Sequence, residues 1–186
     1  MKLYIKNMVC NRCIAAVEKV LTDFRLKFST VELGEVEITN HMEAADLQEL
    51  NQRLKEAGFE ILEDAAHQLI AKVKKELILL IDGLDIPEDF ILSKFISEKL
   101  HRDYSAVSKL FSQNESVTIE QYFILQKIEK VKELLFYDEF SLTEISGKLG
   151  YKSVQHLSSQ FRNSTGFTPS GFKKLKVKNR IPLDEI

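Results

Sequence analysis

The chain has 186 residues, 44% of them hydrophobic and 29% charged, enough apolar side chains for one medium core or two small ones and too many for a disordered protein. A net charge of −2 excludes a uniformly basic nucleic-acid-binding chain, although eleven basic residues face fifteen acidic ones up to Pro87 and fifteen face thirteen beyond it, so the second part can still focus positive charge locally. Two cysteines, Cys10 and Cys13, are too close together to be the framework of a secreted disulfide domain; no apolar run could span a bilayer, MKLYIKN has no apolar signal core, and a cytoplasmic protein is expected.

Residues 2–8 alternate with Leu3 and Ile5 on one face, a short strand that runs into Met8-Val9-Cys10-Asn11-Arg12-Cys13. Ile14, Val17 and Leu21 then recur at helical spacing, and residues 29–33 and 35–38 read as two strands around Gly34. Leu47, Leu50 and Leu54 mark a second helix over 44–57, ended by Gly58 and followed by extended residues 59–62. Strand, helix, strand, strand, helix, strand over residues 1–64 is the βαββαβ order of a ferredoxin-like α+β domain.

The rest, residues 65–186, reads as all-α. A helix over 65–81 ends at Asp82-Gly83, and Pro87 is placed to start the next. Leu92, Phe95, Ile96 and Leu100, a turn capped by Asp103, then Val107, Leu110 and Phe111 make a helix-turn-helix over 88–114. Thr118 with Gln121 forms a capping box that opens a helix over 118–136, with Tyr122, Leu125, Ile128, Val131 and Leu135 on one face. Its length, roughly 27 Å at 1.5 Å per residue, approaches the ~34 Å between successive major-groove faces of DNA. Ser141 with Glu144 opens a second helix-turn-helix over 141–163, turning at Gly150. There Val154, Leu157 and Phe161 face inward and Gln155, His156, Ser158, Ser159 and Arg162 face away. Gly166 ends that helix, and Thr168 and Pro169 cap and start a last one over 169–178.

The run from Ser141 to Lys174 closely resembles the C-terminal half of the DNA-binding domain of the AraC/XylS family of bacterial transcription regulators, and the likeness extends from about Ala66 to Lys176. It implies a double-stranded DNA partner and two reading helices, with Ser105, Ser108 and Lys109 facing bases from the first and Gln155, His156, Ser158, Ser159 and Arg162 from the second. Lys173, Lys174 and Lys176, with Lys178 and Arg180 behind them, are candidate phosphate contacts. Ser97 and Ser146 stand where Ala is usual and Ser116 where Gly is usual. Ser159 stands where a basic residue is common, and a hydroxyl cannot make an arginine's bidentate contact to guanine. Residues 1–64 resemble a heavy-metal-associated domain, matching its Met-x-Cys-x-x-Cys loop but with Asn7 where Gly is usual.

Thiols three positions apart at a helix start converge on one side, and the helix N-terminus with Arg12 favours their thiolate form. Two soft ligands suit copper(I) or another thiophilic ion, whereas zinc would want four. His41 and His67 are the only histidines before Pro87, and neither is placed as an obvious third ligand; Met8 reads as core. A thiol redox switch and an inherited site without function are the competing readings of the pair. Together these features describe a cytoplasmic transcription regulator responsive to a thiophilic metal. A metal-trafficking protein with a helical docking domain and a redox-responsive regulator are the alternatives. A shared ion would make a homodimer, against the competing view that metal acts within one chain. Paired loop carboxylates, a Gly-rich phosphate loop and a Ser/His/Asp arrangement do not stand out, so no enzyme is expected.

Overall fold

The computed structural model describes residues 1–40, 42–175 and 180–186. They fall into two compact units, Met1–Lys75 and Glu76–Ile186. The sequence-based boundary after residue 64 lies at the start of helix α3 (Ala65–Asp82), and the compact units part further along, inside that helix.

In the first unit β1 (Lys2–Lys6), β2 (Phe28–Glu32), β3 (Glu35–Ile38) and β4 (Glu60–Ile61) form an antiparallel sheet in the order β2-β3-β1-β4. Side chains alternate faces along a strand, so the pairing of Leu3 with Val36 and Ile5 with Ile61 lays one apolar row across three strands. Helices α1 (Asn11–Asp23) and α2 (Ala44–Glu56) add Val17, Leu21, Leu50 and Leu54, all fully buried, to this core. The polar row of the sheet is tied by ions and rings instead: Lys2 Nζ meets Glu35 at 2.7 Å, Lys75 meets Glu32 at 2.9 Å, and Lys72 lies 4.7 Å from the Tyr4 ring centroid.

Asn7 has a φ of 70°, and its Nδ2 donates to the Gly58 carbonyl at 3.0 Å. A left-handed backbone is free to glycine and tolerated best by asparagine among the others. Asn7 in place of the usual Gly therefore keeps the turn and adds a tie to the end of α2.

The second unit contains α4 (Leu92–Leu100), α5 (Tyr104–Asn114), α6 (Ile119–Tyr137), α7 (Leu142–Lys148), α8 (Val154–Thr165) and α9 (Pro169–Lys173). The capping boxes at Thr118/Gln121 and Ser141/Glu144 form as the sequence indicates, and Thr168 and Pro169 start α9. Pro87 does not start a helix, because the chain before it is held extended. Ile86, buried, pairs in parallel with Leu149, and its amide donates to the Lys148 carbonyl at 3.0 Å. Helix α4 therefore begins only at Leu92. Of the expected helix over 169–178, residues 176–178 lie outside the described residues, and α9 closes at Lys173, where the amides of Lys174 and Leu175 turn back three residues, to Gly171 and Phe172.

Helix α6 is not one-faced as predicted. It touches α5, α7, α8 and α9, and its buried set includes Gln126, Lys127, Glu129 and Lys132 beside its apolar residues. Most of these polar groups have partners. Glu129 forms an ion pair with Lys132 and accepts the Ile181 amide at 3.1 Å; Gln126 Nε2 donates to the Tyr122 hydroxyl at 2.9 Å and to the Leu183 carbonyl at 3.2 Å.

Candidate nucleic-acid interface

Helices α5 and α8 are built alike. Asp103 accepts the Ala106 amide at 3.0 Å and Ser153 the His156 amide at 3.1 Å, each satisfying a donor left free at a helix start. Val107 and Phe111 are buried from α5, Leu157 and Phe161 from α8. Periodicity then sends the polar side chains outward. Ser105 and Lys109 are exposed on α5 with Ser108 half-buried; Gln155, Ser159 and Arg162 are exposed in one row on α8, with Ser158 half-buried and exposed His156 beside them. These amide, hydroxyl, ammonium and guanidinium groups are the kinds that meet base edges and phosphates.

Three neighbours of this surface were not legible as part of it. Tyr151, buried between α7 and α8, donates its phenol to Gln160 Oε1 at 2.8 Å, and its ring meets the His156 imidazole edge-on at 5.4 Å. Arg102 and Lys152 are exposed immediately before the caps Asp103 and Ser153. Each helix thus begins beside a cation, where its own free amides also favour an anion. The repeated order of basic residue, cap and helix was the available signal.

The proposed phosphate contacts divide. Lys174 is exposed, whereas Lys173 is ion-paired with Asp138 and Arg180 with Glu133 at 3.0 Å. Lys176 and Lys178 lie outside the described residues, as does His41.

In the first unit, Cys10 is the N-cap of α1, and its Sγ lies 3.4 Å from that of Cys13, both thiols half-buried. Two thiolates on one tetrahedral ion at ~2.3 Å would stand ~3.8 Å apart, so a small side-chain rotation fits the pair to such an ion. Cys13 departs from the expected thiolate: burial pushes its thiol up, and the hydrogen bond with Cys10 adds to this, outweighing the backbone groups that lower it. His67 is bonded to Asp64 at the start of α3. Among the described residues no group of three His, Cys, Asp or Glu side chains is arranged to hold a metal.

Residues 96–175 match the helix-turn-helix domain family, and the match takes in α5, α8 and the two helices between them. These residues form a helix-turn-helix domain. It is similar to the Msm operon regulatory protein of Streptococcus mutans, 29% identical over 79 residues, which are 42% of this chain and 28% of that protein. It is also similar to the uncharacterized HTH-type transcriptional regulator YdiP of Escherichia coli, 28% identical over 91 residues, 49% of this chain and 30% of that one. The matched stretch thus spans under a third of either relative. Among solved structures, the C-terminal domain of AraT, a response regulator from Geobacillus stearothermophilus, shares the fold with a TM-score of 0.52 at 17% identity, over 63% of this chain and 91% of that one. A helix-turn-helix domain is a DNA-binding element rather than a catalytic one. No helix among the described residues is long and apolar enough to cross a membrane.

Proposed function

We propose that the chain is a sequence-specific DNA-binding transcription regulator in which α5 and α8 read successive major grooves and the first unit adjusts binding through a thiophilic ion at Cys10 and Cys13. The observation that carries the DNA reading is the pair of like-capped helices with polar outer faces, Ser105 and Lys109 on one and Gln155, Ser159 and Arg162 on the other, joined by α6. At 1.5 Å per residue α6 is roughly 28 Å long, close to the ~34 Å turn of DNA.

The order β2-β3-β1-β4 with two helices supports reading the first unit as a ferredoxin-like, heavy-metal-associated domain. Two soft donors with no third neighbour among the described residues favour copper(I), or an ion shared between two chains as a homodimer. Binding must displace the Cys13 proton that burial retains, so metal affinity should rise with pH.

The test is selection of bound sequences from a random duplex pool by the full chain, with and without copper(I), for the wild type and for Cys10→Ser with Cys13→Ser. Enrichment of one site, with affinity falling steeply as salt rises, supports DNA reading. A metal effect lost in the double variant supports the sensor. Metal binding with no enriched site would indicate a trafficking protein, and a response to peroxide alone a redox regulator. Solution mass with and without copper(I) decides between a bridged dimer and an effect within one chain.

On the enriched site, Lys109→Ala should relax base choice in one half-site by roughly 1 to 3 kcal/mol, whereas Lys174→Ala should weaken all sequences alike. A uniform loss from Lys109→Ala would make it a phosphate contact instead.

A further inference from the structure

Lys127 is a buried cation on α6 without a carboxylate partner among the described residues. Its helix neighbours differ: Lys130 is paired with Asp82 at 3.0 Å and Glu133 at 2.9 Å, and Lys132 with Glu129. Only 7% of Lys127 is exposed, and its Nζ sits 3.7 Å from the centroid of the Tyr151 ring and 5.3 Å from that of Phe123. A cation that has lost water is drawn to the negative face of an aromatic ring, and more strongly than at an exposed site.

Tyr151 is more than a cushion for this charge. It is the residue after the turn of the second helix-turn-helix, its phenol holds Gln160 and its ring edge meets His156, both on α8. Lys127 therefore presses on one face of a ring whose rim is fastened to the helix at two points, one of them beside the reading row.

We infer that Lys127 is a positioning residue for DNA recognition: its ammonium, seated on Tyr151, fixes the ring against which His156 and Gln160 of α8 are set. The inference rests on the proposed reading of DNA by α8. Burial also lowers the Lys127 ammonium to about 8, as a poorly hydrated cation requires, so the group opposes folding while serving the site. Position and stability should therefore separate on mutation.

The experiment uses the full chain as wild type, Lys127→Met and Lys127→Arg, with two duplexes. One is the sequence enriched from the random pool; the other has the α8 half-site scrambled, that half being the one whose scrambling abolishes the effect of Gln155→Ala. Lys127→Met is expected to melt no lower than wild type, to lose roughly 3- to 30-fold in affinity for the enriched duplex, and to match wild type on the scrambled one. Lys127→Arg, which keeps a cation on the ring, should recover most of the loss. The assignment is overturned if Lys127→Met binds the enriched duplex as wild type does, if it loses equally on both duplexes as a phosphate contact would, or if its melting temperature falls with its affinity as for a merely structural residue. If wild type itself fails to distinguish the duplexes, DNA reading by α8 falls and the assignment with it; if wild type distinguishes them and Lys127→Met does so equally well, only the assignment falls.

Discussion

Gly150→Ala should destabilise the helical unit by roughly 2 to 5 kcal/mol, which for many small domains is a large share of the total. Gly150 has a φ of 65°, a conformation that costs an L-residue about 1 to 2 kcal/mol. A Cβ there would lie 2.7 Å from Ile86 Cγ2 and 2.8 Å from the Pro87 carbonyl oxygen. The carbonyl belongs to backbone that cannot retreat freely, because the Ile86 amide is bonded to Lys148 at 3.0 Å; crowding of this kind adds about 1 to 3 kcal/mol. Gly166→Ala is the control. Its φ is 79°, but nothing lies within 4 Å of an added Cβ, so only the backbone cost applies. Denaturant unfolding of both variants should show the larger loss at Gly150, and equal losses would mean that the contact with residues 86 and 87 has little energetic weight.

Lys127→Met should do the opposite and raise stability at pH 7 by roughly 1 to 3 kcal/mol. With its ammonium lowered to about 8 in the fold and near ~10.4 in the unfolded chain, Lys127 binds its proton less tightly when folded. Below pH 8 both states carry the proton and the full penalty is present. Between about 8 and 10.4 the unfolded state retains a proton that the folded state has shed, so wild-type stability from this group climbs with pH, by up to about 3 kcal/mol. The Tyr151 face returns roughly 0.5 to 2 kcal/mol, which is why the net gain from Met is smaller. Burial pushes the Tyr151 phenol up, so the ring stays neutral across this range. Unfolding measured from pH 7 to 10 should show the advantage of the variant shrinking as pH rises; an advantage independent of pH would mean that the cation is solvated in the fold.

The elements that could be read from sequence are those decided within four residues. Asp103, Thr118, Ser141 and Thr168 each cap a helix with their own side chain, and the apolar spacing in α5 and α8 leaves Ser105, Lys109, Gln155 and Arg162 outward. Distant partners decided the rest. Pro87 has the local chemistry of a helix start, but Ile86 is held by a strand-like bond to Lys148. Lys173 is a candidate phosphate contact, and its pairing with Asp138, thirty-five residues earlier, is not written in its neighbours. Backbone groups at the start of α1 favour a thiolate at Cys13, but burial outweighs them. In the binding surface, side-chain direction follows from periodicity, while the platform of Tyr151 and Lys127 depends on α6 crossing beneath it, which no spacing in the chain records.

The bond from Ile86 to the end of α7 also has a kinetic meaning. It closes a loop of about sixty residues that contains α4, α5 and α6, and the entropy of closing so long a loop is recovered only once those helices have already brought its ends together. The pairing is therefore a late event in folding, completed after the local helices. By the same token the Ile86 amide can exchange its hydrogen with solvent only when the turn at Gly150 lets go, so in a hydrogen-exchange experiment it should report opening of the second helix-turn-helix from a place in the chain that precedes the first.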